Sequence, residues 1–375
     1  MKVLKIFYSI LIFLLTVSSC FAIEEPIELI TKEKTLKEKL NDIYHLEVEQ
    51  TEKPFFLLTE VLTKNFEEDS LINKLHLWGG YVAHSDFIFS EDNYENTEYL
   101  FDAINVGVDG KIKNNNADFR LMLHYSPTST RDFENNLFAD AYIATNKIPH
   151  HRIWLGNTRP RLGMEGGYSP YALPYIARSQ ISRNFGTVRR LGARVSGDYS
   201  LVDYDLGIYS SDTYFQSFFP GTEFIGWLNL KPLGKTDGKY GRITLGSGLQ
   251  TGHRDNSYTV VGSYAGYEYK KWLMNFEWAN ADGYNGPSGH STNKKATGFY
   301  TTLGYKFTPK VQGLLRYDQF DPNKNIANNN IKEYSAGINY FIKGQALKLV
   351  LNYVFCQRAT AKDSHKIILG TQILL

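Results

Sequence analysis

From Leu75 to the end of the chain, apolar and polar residues alternate with a period of two, with almost no helical interruption. In Leu201 to Ser210, Val202, Tyr204, Leu206 and Ile208 oppose Asp203, Asp205 and Gly207. In Ala117 to Ser126, Phe119, Leu121, Leu123 and Tyr125 oppose Asp118, Arg120, Met122 and His124. Lys271–Asn280 and Ala346–Cys356 repeat the pattern. Side chains on a strand point alternately to its two faces, so each stretch reads as a strand with one apolar face. A soluble sandwich alternates too. Here, however, the polar side carries charges at successive positions, as the wall of a water-filled barrel does. The expected fold is all-β: a transmembrane antiparallel barrel of about 16 strands. Those strands fall near 75–87, 99–110, 117–126, 137–146, 151–157, 187–197, 200–210, 223–231, 239–251, 258–267, 271–281, 297–306, 311–321, 332–342, 346–356 and 365–375. An even count suits closure, since an open edge would leave unpaired backbone groups in hydrocarbon.

The connections point the same way. Asp198-Tyr199, Glu268 to Lys270, Phe307 to Lys310 and Lys343 to Gln345 are short, and Lys235 to Gly238 is a turn signal. Between them lie longer polar stretches: Ser90–Glu98, Thr158–Gly186, Ser211–Thr222, Asp282–Ala296, Pro322–Ile331 and Gln357–Ser364. Short periplasmic turns alternating with longer outer loops are the habit of outer-membrane barrels.

The first 22 residues read as a secretory signal. Lys2 and Lys5 form its basic start, Ile6 to Val17 its apolar stretch, and Ala22 the cleavage point. A lipid anchor on Cys20 is the competing reading, because Val17-Ser18-Ser19-Cys20 loosely resembles a lipoprotein box. With cleavage after Ala22 only Cys356 remains, and a single cysteine makes no internal disulfide. Residues 23–70 form a separate N-terminal periplasmic segment, and 71–375 the barrel. Leu29, Leu36 and Ile43 recur every seven residues with Leu40 between, so this segment reads as a short helix or a loose arm.

Charge changes the picture only locally. Without Lys2 and Lys5 the 41 basic residues become 39, equal to the 39 acidic ones, and neutrality argues against a nucleic-acid partner. The arginines, however, are clustered. Of 14 in the chain, eight lie between His151 and Arg194, a window with no Lys, no Asp and only Glu165, hence 8 − 1 = +7. This window holds the longest connection, Thr158–Gly186, which we expect to fold into the barrel and narrow it.

Geometry says why an inward loop matters. Sixteen strands spaced about 4.8 Å and tilted about 40° enclose a backbone radius of roughly 16 Å. The Debye length is about 8 Å in physiological salt, so wall charges alone are largely screened at the axis. Cations carried inward on a loop approach a solute closely, where a pair about 4 Å apart at an effective dielectric of 20 gains at most about 4 kcal/mol. Rings of Arg or Lys serve anion pores, and Arg suits carboxylates and phosphates. The candidate pore-constriction residues are Arg152, Arg159, Arg161, Arg178, Arg183, Arg190 and Arg194. Parity places Arg152, Trp154, Arg190 and Arg194 in the lumen, with Arg120, Arg242, Arg316, Asp203, Asp205, Glu277 and Asp318 elsewhere on its wall. Arg189 has outward parity and is expected at the lipid interface. Bracing of the loop by wall carboxylates, and contact with lipopolysaccharide phosphates, are the alternative roles for these arginines. Glu165 is expected to partner a neighbouring arginine.

No HExxH, CxxC, P-loop or nucleophile elbow is present, and the histidines lack ligand spacing. No enzyme activity, metal or cofactor is expected. An outer-membrane enzyme or adhesin with active loops is the alternative from another class. The acidic group Glu91, Asp92, Glu95 and Glu98 reads as a solvated outer loop.

Several pieces carry a family likeness. They are Gly156, Pro160, Gly163 and Glu165; Arg178-Ser179; Arg189 with Gly192 and Gly197; Leu314 to Asn323; Gly337 to Tyr340; and Leu351 to Val354. In this order and spacing the chain resembles the phosphate-selective porin O and P family over roughly 75–375. The resemblance implies a trimeric, 16-stranded, water-filled outer-membrane channel that favours small anionic solutes. Phosphate itself does not follow, and a general or sugar porin remains the alternative on the same fold. The final residue is Leu375, where many outer-membrane barrels end in an aromatic.

Overall fold

The computed structural model describes residues 56–90, 93–112, 117–125, 138–186, 188–212, 217–286 and 291–375. The signal segment and the heptad-like Leu29, Leu36, Leu40 and Ile43 lie outside the described residues. Nearly everything described is antiparallel sheet. A short β1 (Thr63–Asn65) precedes the first half of the wall: β2 (Ile72–Ser90), β3 (Asn93–Ile112), β4 (Ala117–Tyr125), β5 (Phe138–Thr145), β6 (His151–Thr158), β7 (Arg190–Asp198) and β8 (Val202–Ser210). The second half is β9 (Thr222–Leu230), β10 (Arg242–His253), β11 (Ser257–Tyr269), β12 (Trp272–Asn285), β13 (Ser291–Lys306), β14 (Val311–Asp321), β15 (Ile331–Lys343), β16 (Leu347–Arg358) and β17 (Ser364–Leu374). Each strand from β2 to β17 pairs with its chain neighbour. β17 returns to β2, from Ser364↔Ser90 to Leu374↔Gly80, which closes a barrel of 16 strands.

The seam has an added piece. β17 ends at Leu374, and below it β1 takes up the same edge of β2, from Thr63↔His76 to Asn65↔Lys74. Leu57 N–H donates to the Leu374 carbonyl at 3.0 Å, and Leu77 N–H to that of Leu62 at 3.0 Å. Residues 56–65 thus cap edge groups that closure alone leaves open, as a barrel requires.

Alternation sorts the two faces as expected. Leu155, Ile208 and Leu315 are exposed on the outside, where lipid covers them. Asp203, Asp205, Glu277, Arg316 and Asp318 are buried on the inside.

Three connections differ from the sequence reading. β2 and β3 stay paired to Ser90↔Asn93, so most of Ser90–Glu98 is strand and Glu95 and Glu98 lie in β3. β12 and β13 stay paired to Asn285↔Ser291, which shortens the expected loop Asp282–Ala296. β2 and β3 have 19 and 20 residues, against the roughly 9–11 that span a bilayer, so their tips stand in water. Ladder hydrogen bonds hold a strand there whatever its polarity, and polar composition alone mimics a loop. Between β10 and β11 only Arg254–Asn256 connects the strands on the outer side, which breaks the regular alternation of long and short connections.

Candidate functional site

The connection between β6 and β7 runs from Arg159 to Arg189 and lies inside the barrel. It contains two short helices, α1 (Met164–Gly167) and α2 (Gln180–Asn184), with a single 3-10 turn at Pro170–Ala172 between them. Its hydrogen bonds reach around most of the wall. Asn105 on β3 donates to the Tyr171 hydroxyl at 2.6 Å, and Gln372 on β17 to the Tyr171 carbonyl at 2.8 Å. Lys348 on β16 donates to Leu173 O at 3.0 Å, and Asn339 on β15 to Pro174 O at 2.8 Å. Open backbone groups of an irregular segment thus find partners on lumen-facing side chains.

Carboxylates secure both helices. Glu277 on β12 accepts from Met164 N–H at 2.9 Å and from the Tyr300 hydroxyl at 2.9 Å. Asp318 on β14 accepts from Gln180 N–H at 2.7 Å. Glu165 accepts from Ser179 N–H at 2.6 Å and forms a buried ion pair with Arg316 of β14. Its guanidinium partner therefore comes from the wall, whereas Arg178, nearer in sequence, donates to the Glu165 carbonyl. Gly163 makes the approach possible: its φ is 71°, and a Cβ there would fall 2.0 Å from Glu277 Oε1.

Apolar residues finish the docking. Ile181 and Phe185 pack with Val260, Ala281 and Phe320; Leu162, Met164 and Val188 pack with Ile225, Trp227 and Tyr264. Tyr171 and Ile176 join Val82, Ile368 and Leu374. On the β9–β17 side of the lumen the loop therefore packs directly against the wall. Burial raises the pKa of the Tyr171 phenol, the Asn105 hydrogen bond partly opposing it, and burial raises that of Tyr175.

What stays open is a cavity of about 510 Å³ between the loop and the wall from β2 to β8. Six arginines line it (Arg120, Arg152, Arg159, Arg161, Arg189 and Arg194) with four aspartates, Asp140, Asp198, Asp203 and Asp205, a formal balance of 6 − 4 = +2. Trp78, Trp154, Tyr142 and Tyr171 add aromatic surface.

Each candidate arginine has a definite place. Arg152, Arg159, Arg161 and Arg194 meet in the cavity; Arg178, Arg183 and Arg190 do not line it. Arg152 pairs with Asp118 at 2.7 Å, Arg161 with Asp203 at 3.0 Å, and Arg194 with Asp205. Arg159 donates to Tyr168 O at 2.7 Å, as does Arg178 at 2.6 Å. Arg190 is enclosed completely, bonded to Glu223 at 2.8 Å and to Asn285 O at 2.9 Å, and it has no face toward the passage. Arg183 pairs with Glu333 at 2.9 Å from α2.

Arg189 is not at the lipid interface. It is buried, lines the cavity and pairs with Asp140 at 2.8 Å. β7 begins only at Arg190, so strand parity does not extend back to residue 189. Asp140 and Tyr142 on β5 were missed by sequence reasoning. Their inward parity on a short strand was the available signal. His150 stands at the exposed turn between β5 and β6 and His151 opens β6, half-buried, both lining the cavity.

A model of the family described as phosphate-selective porin O and P matches residues 228–366. This segment includes Leu314 to Asn323, Gly337 to Tyr340 and Leu351 to Val354, three of the pieces that carried the resemblance, while the loop lies before it. Solved structures alike in fold include the anion-selective porin from Comamonas acidovorans, at 10% identity and TM-score 0.58 over 80% of this chain and 99% of that one. OmpF of Salmonella typhi, in complex with daunomycin, matches at 13% and 0.59 over 80% and 98%. The outer membrane channel DcaP of Acinetobacter baumannii matches at 12% and 0.57 over 83% and 100%. At these identities the likeness is one of fold. No curated protein matches.

Proposed function

We propose that this barrel, a bacterial outer-membrane porin whose second half matches the phosphate-selective porin O and P family, passes small anionic solutes by diffusion through the arginine-flanked cavity. The supporting observation is the convergence of six arginines, from β4, β6, β7 and both ends of the loop, on one cavity inside the barrel. A confined, partly desolvated passage strengthens each charge relative to one on an open wall. The chain acts as a channel rather than an enzyme, and works as a homotrimer in a lipopolysaccharide-bearing membrane.

The pairing of Arg152, Arg161, Arg189 and Arg194 with aspartates favours a modest preference over a tight binding site. It keeps in play a general porin on the same fold, with phosphate as one anion among many. Reversal potential across planar bilayers in a potassium chloride gradient tests the reading. Anion preference is expected; a cation-selective or non-conducting protein refutes it. Block of the chloride current by micromolar phosphate would assign phosphate as a preferred solute.

A further inference from the structure

The cavity arginines differ in what they have left to offer a solute. Arg194 uses all three of its side-chain nitrogens. Nε donates to both Asp205 oxygens at 2.9 Å, Nη2 also donates to Asp205, and Nη1 donates to Arg159 O at 3.0 Å. Arg152 uses one. Its Nη2 donates to Asp118 Oδ1 at 2.9 Å and Oδ2 at 2.7 Å, while Nε and Nη1 donate to no described residue.

The flat face of Arg152 is covered differently. Its guanidinium carbon lies 5.0 Å from the ring centre of Trp154, and that of Arg194 lies 4.3 Å from the same ring. Trp154 sits directly opposite Arg194 in the β6–β7 ladder, two residues from Arg152. Cation–π contact uses the face of a guanidinium, whereas its N–H donors lie in the plane. Stacking therefore restrains Arg152 without consuming a donor, and it lets two like charges share one aromatic support. Arg120 repeats the arrangement one strand pair away: Asp109 takes Nε and Nη2 at 2.7 Å each, and the ring of Trp78 lies 5.3 Å from the guanidinium carbon.

We propose that Arg152 is the principal solute-contacting cation of the passage and that Trp154 is the positioning residue that presents it. One edge of the guanidinium is fixed by Asp118 and one face by Trp154. The Nε and Nη1 donors, which lie on opposite sides of the group and share no edge, remain as single donors for a carboxylate, phosphate or chloride in transit. Contact through part of a restrained guanidinium is strong enough to favour entry of an anion and weak enough to release it, as conduction requires. Net charge alone would rank Arg152 and Arg194 equally; their hydrogen bonds do not.

The inference rests on the anion-channel reading, and the experiment separates the two. Reversal potentials are measured in a potassium chloride gradient for the full chain and for Arg152→Gln, Arg194→Gln, Trp154→Phe and Trp154→Leu. A wild type without anion preference sinks the channel reading itself. Given that preference, Arg152→Gln is expected to lower the chloride-to-potassium permeability ratio at least threefold more than Arg194→Gln does. Equal losses overturn the proposal, since both substitutions remove one charge. Trp154→Leu is expected to lose most of what Arg152→Gln loses, and Trp154→Phe to retain it. In an Arg152→Gln background Trp154→Leu should change the ratio no further. A further loss there means that Trp154 does not act through Arg152, and overturns its assignment.

Discussion

Arg316→Met should release the loop without opening the wall. The Arg316 guanidinium is buried against Glu165, with side-chain exposures of 4% and 1%. It also donates to Thr302 Oγ1 at 3.0 Å and to Ala177 O at 3.3 Å. Methionine keeps most of the stem and removes the charge. Glu165 is then left uncompensated in a dry site, which costs about 3–5 kcal/mol. At 1.4 kcal/mol per tenfold, the docked-to-undocked ratio of the loop falls roughly a hundredfold to a few thousandfold. Glu277, Asp318 and the Ile181–Phe185 cluster still hold it, so the loop becomes mobile rather than lost. The barrel itself depends on 16 paired ladders that Arg316→Met leaves intact. Single-channel recording should therefore show larger and noisier conductance, and limited proteolysis should cut within 159–189, while the folded barrel keeps its heat-modifiable migration on a gel. Arg183→Gln is the control: its pair with Glu333 is partly exposed and worth at most about 1 kcal/mol, so conductance should not change. Unaltered conductance and full protease protection in Arg316→Met would refute the idea that this pair anchors the loop.

Gly163→Ala should mimic part of that release, because a Cβ there meets Glu277 and the positive φ disfavours any L side chain; proteolysis of the loop is the measurement. Phe185→Ala removes an aromatic that is 3% exposed inside the lumen, at about 3–5 kcal/mol for a buried Phe, and should raise current noise without changing reversal potential. The anion preference should shrink between 0.1 and 1 M salt as the Debye length falls from about 10 to about 3 Å, which reversal potentials at matched gradients will read.

Alternation made the wall legible. The period-two runs located all 16 barrel strands, because one face of each strand must meet lipid. It misplaced strand ends where hairpins rise into water, since Glu98 pairs with Asp86 in the ladder as well as an apolar residue would. The long loop was legible as an interruption. Its contents were not, because the inward faces of β9 to β17 mix Val260, Ala281 and Phe320 with Asn275 and Asp318, and only the docked loop explains those apolar positions. Glu165–Arg316 joins residues 151 apart in the chain, a distance that no local pattern encodes.

The arginine cluster shows most clearly how a linear count differs from a field. The window from His151 to Arg194 carries 8 − 1 = +7 along the chain. In space, Asp118, Asp140, Asp203, Asp205, Glu223 and Glu333 approach six of those arginines. Counting these partners leaves 7 − 6 = +1. The missing charge resides on β4, β5, β8, β9 and β15, where each acid looks like an isolated lumen-facing residue. The cavity itself, with six arginines against four aspartates, keeps only a small excess of positive charge. On the anion-channel proposal, preference would rest on which guanidinium donors still face the water, and that depends on hydrogen-bond geometry a few ångströms deep. Substitutions that preserve charge but swing a donor away, such as Trp154→Leu, should therefore alter selectivity more than substitutions at Arg183 or Arg190, whose charges lie outside the cavity.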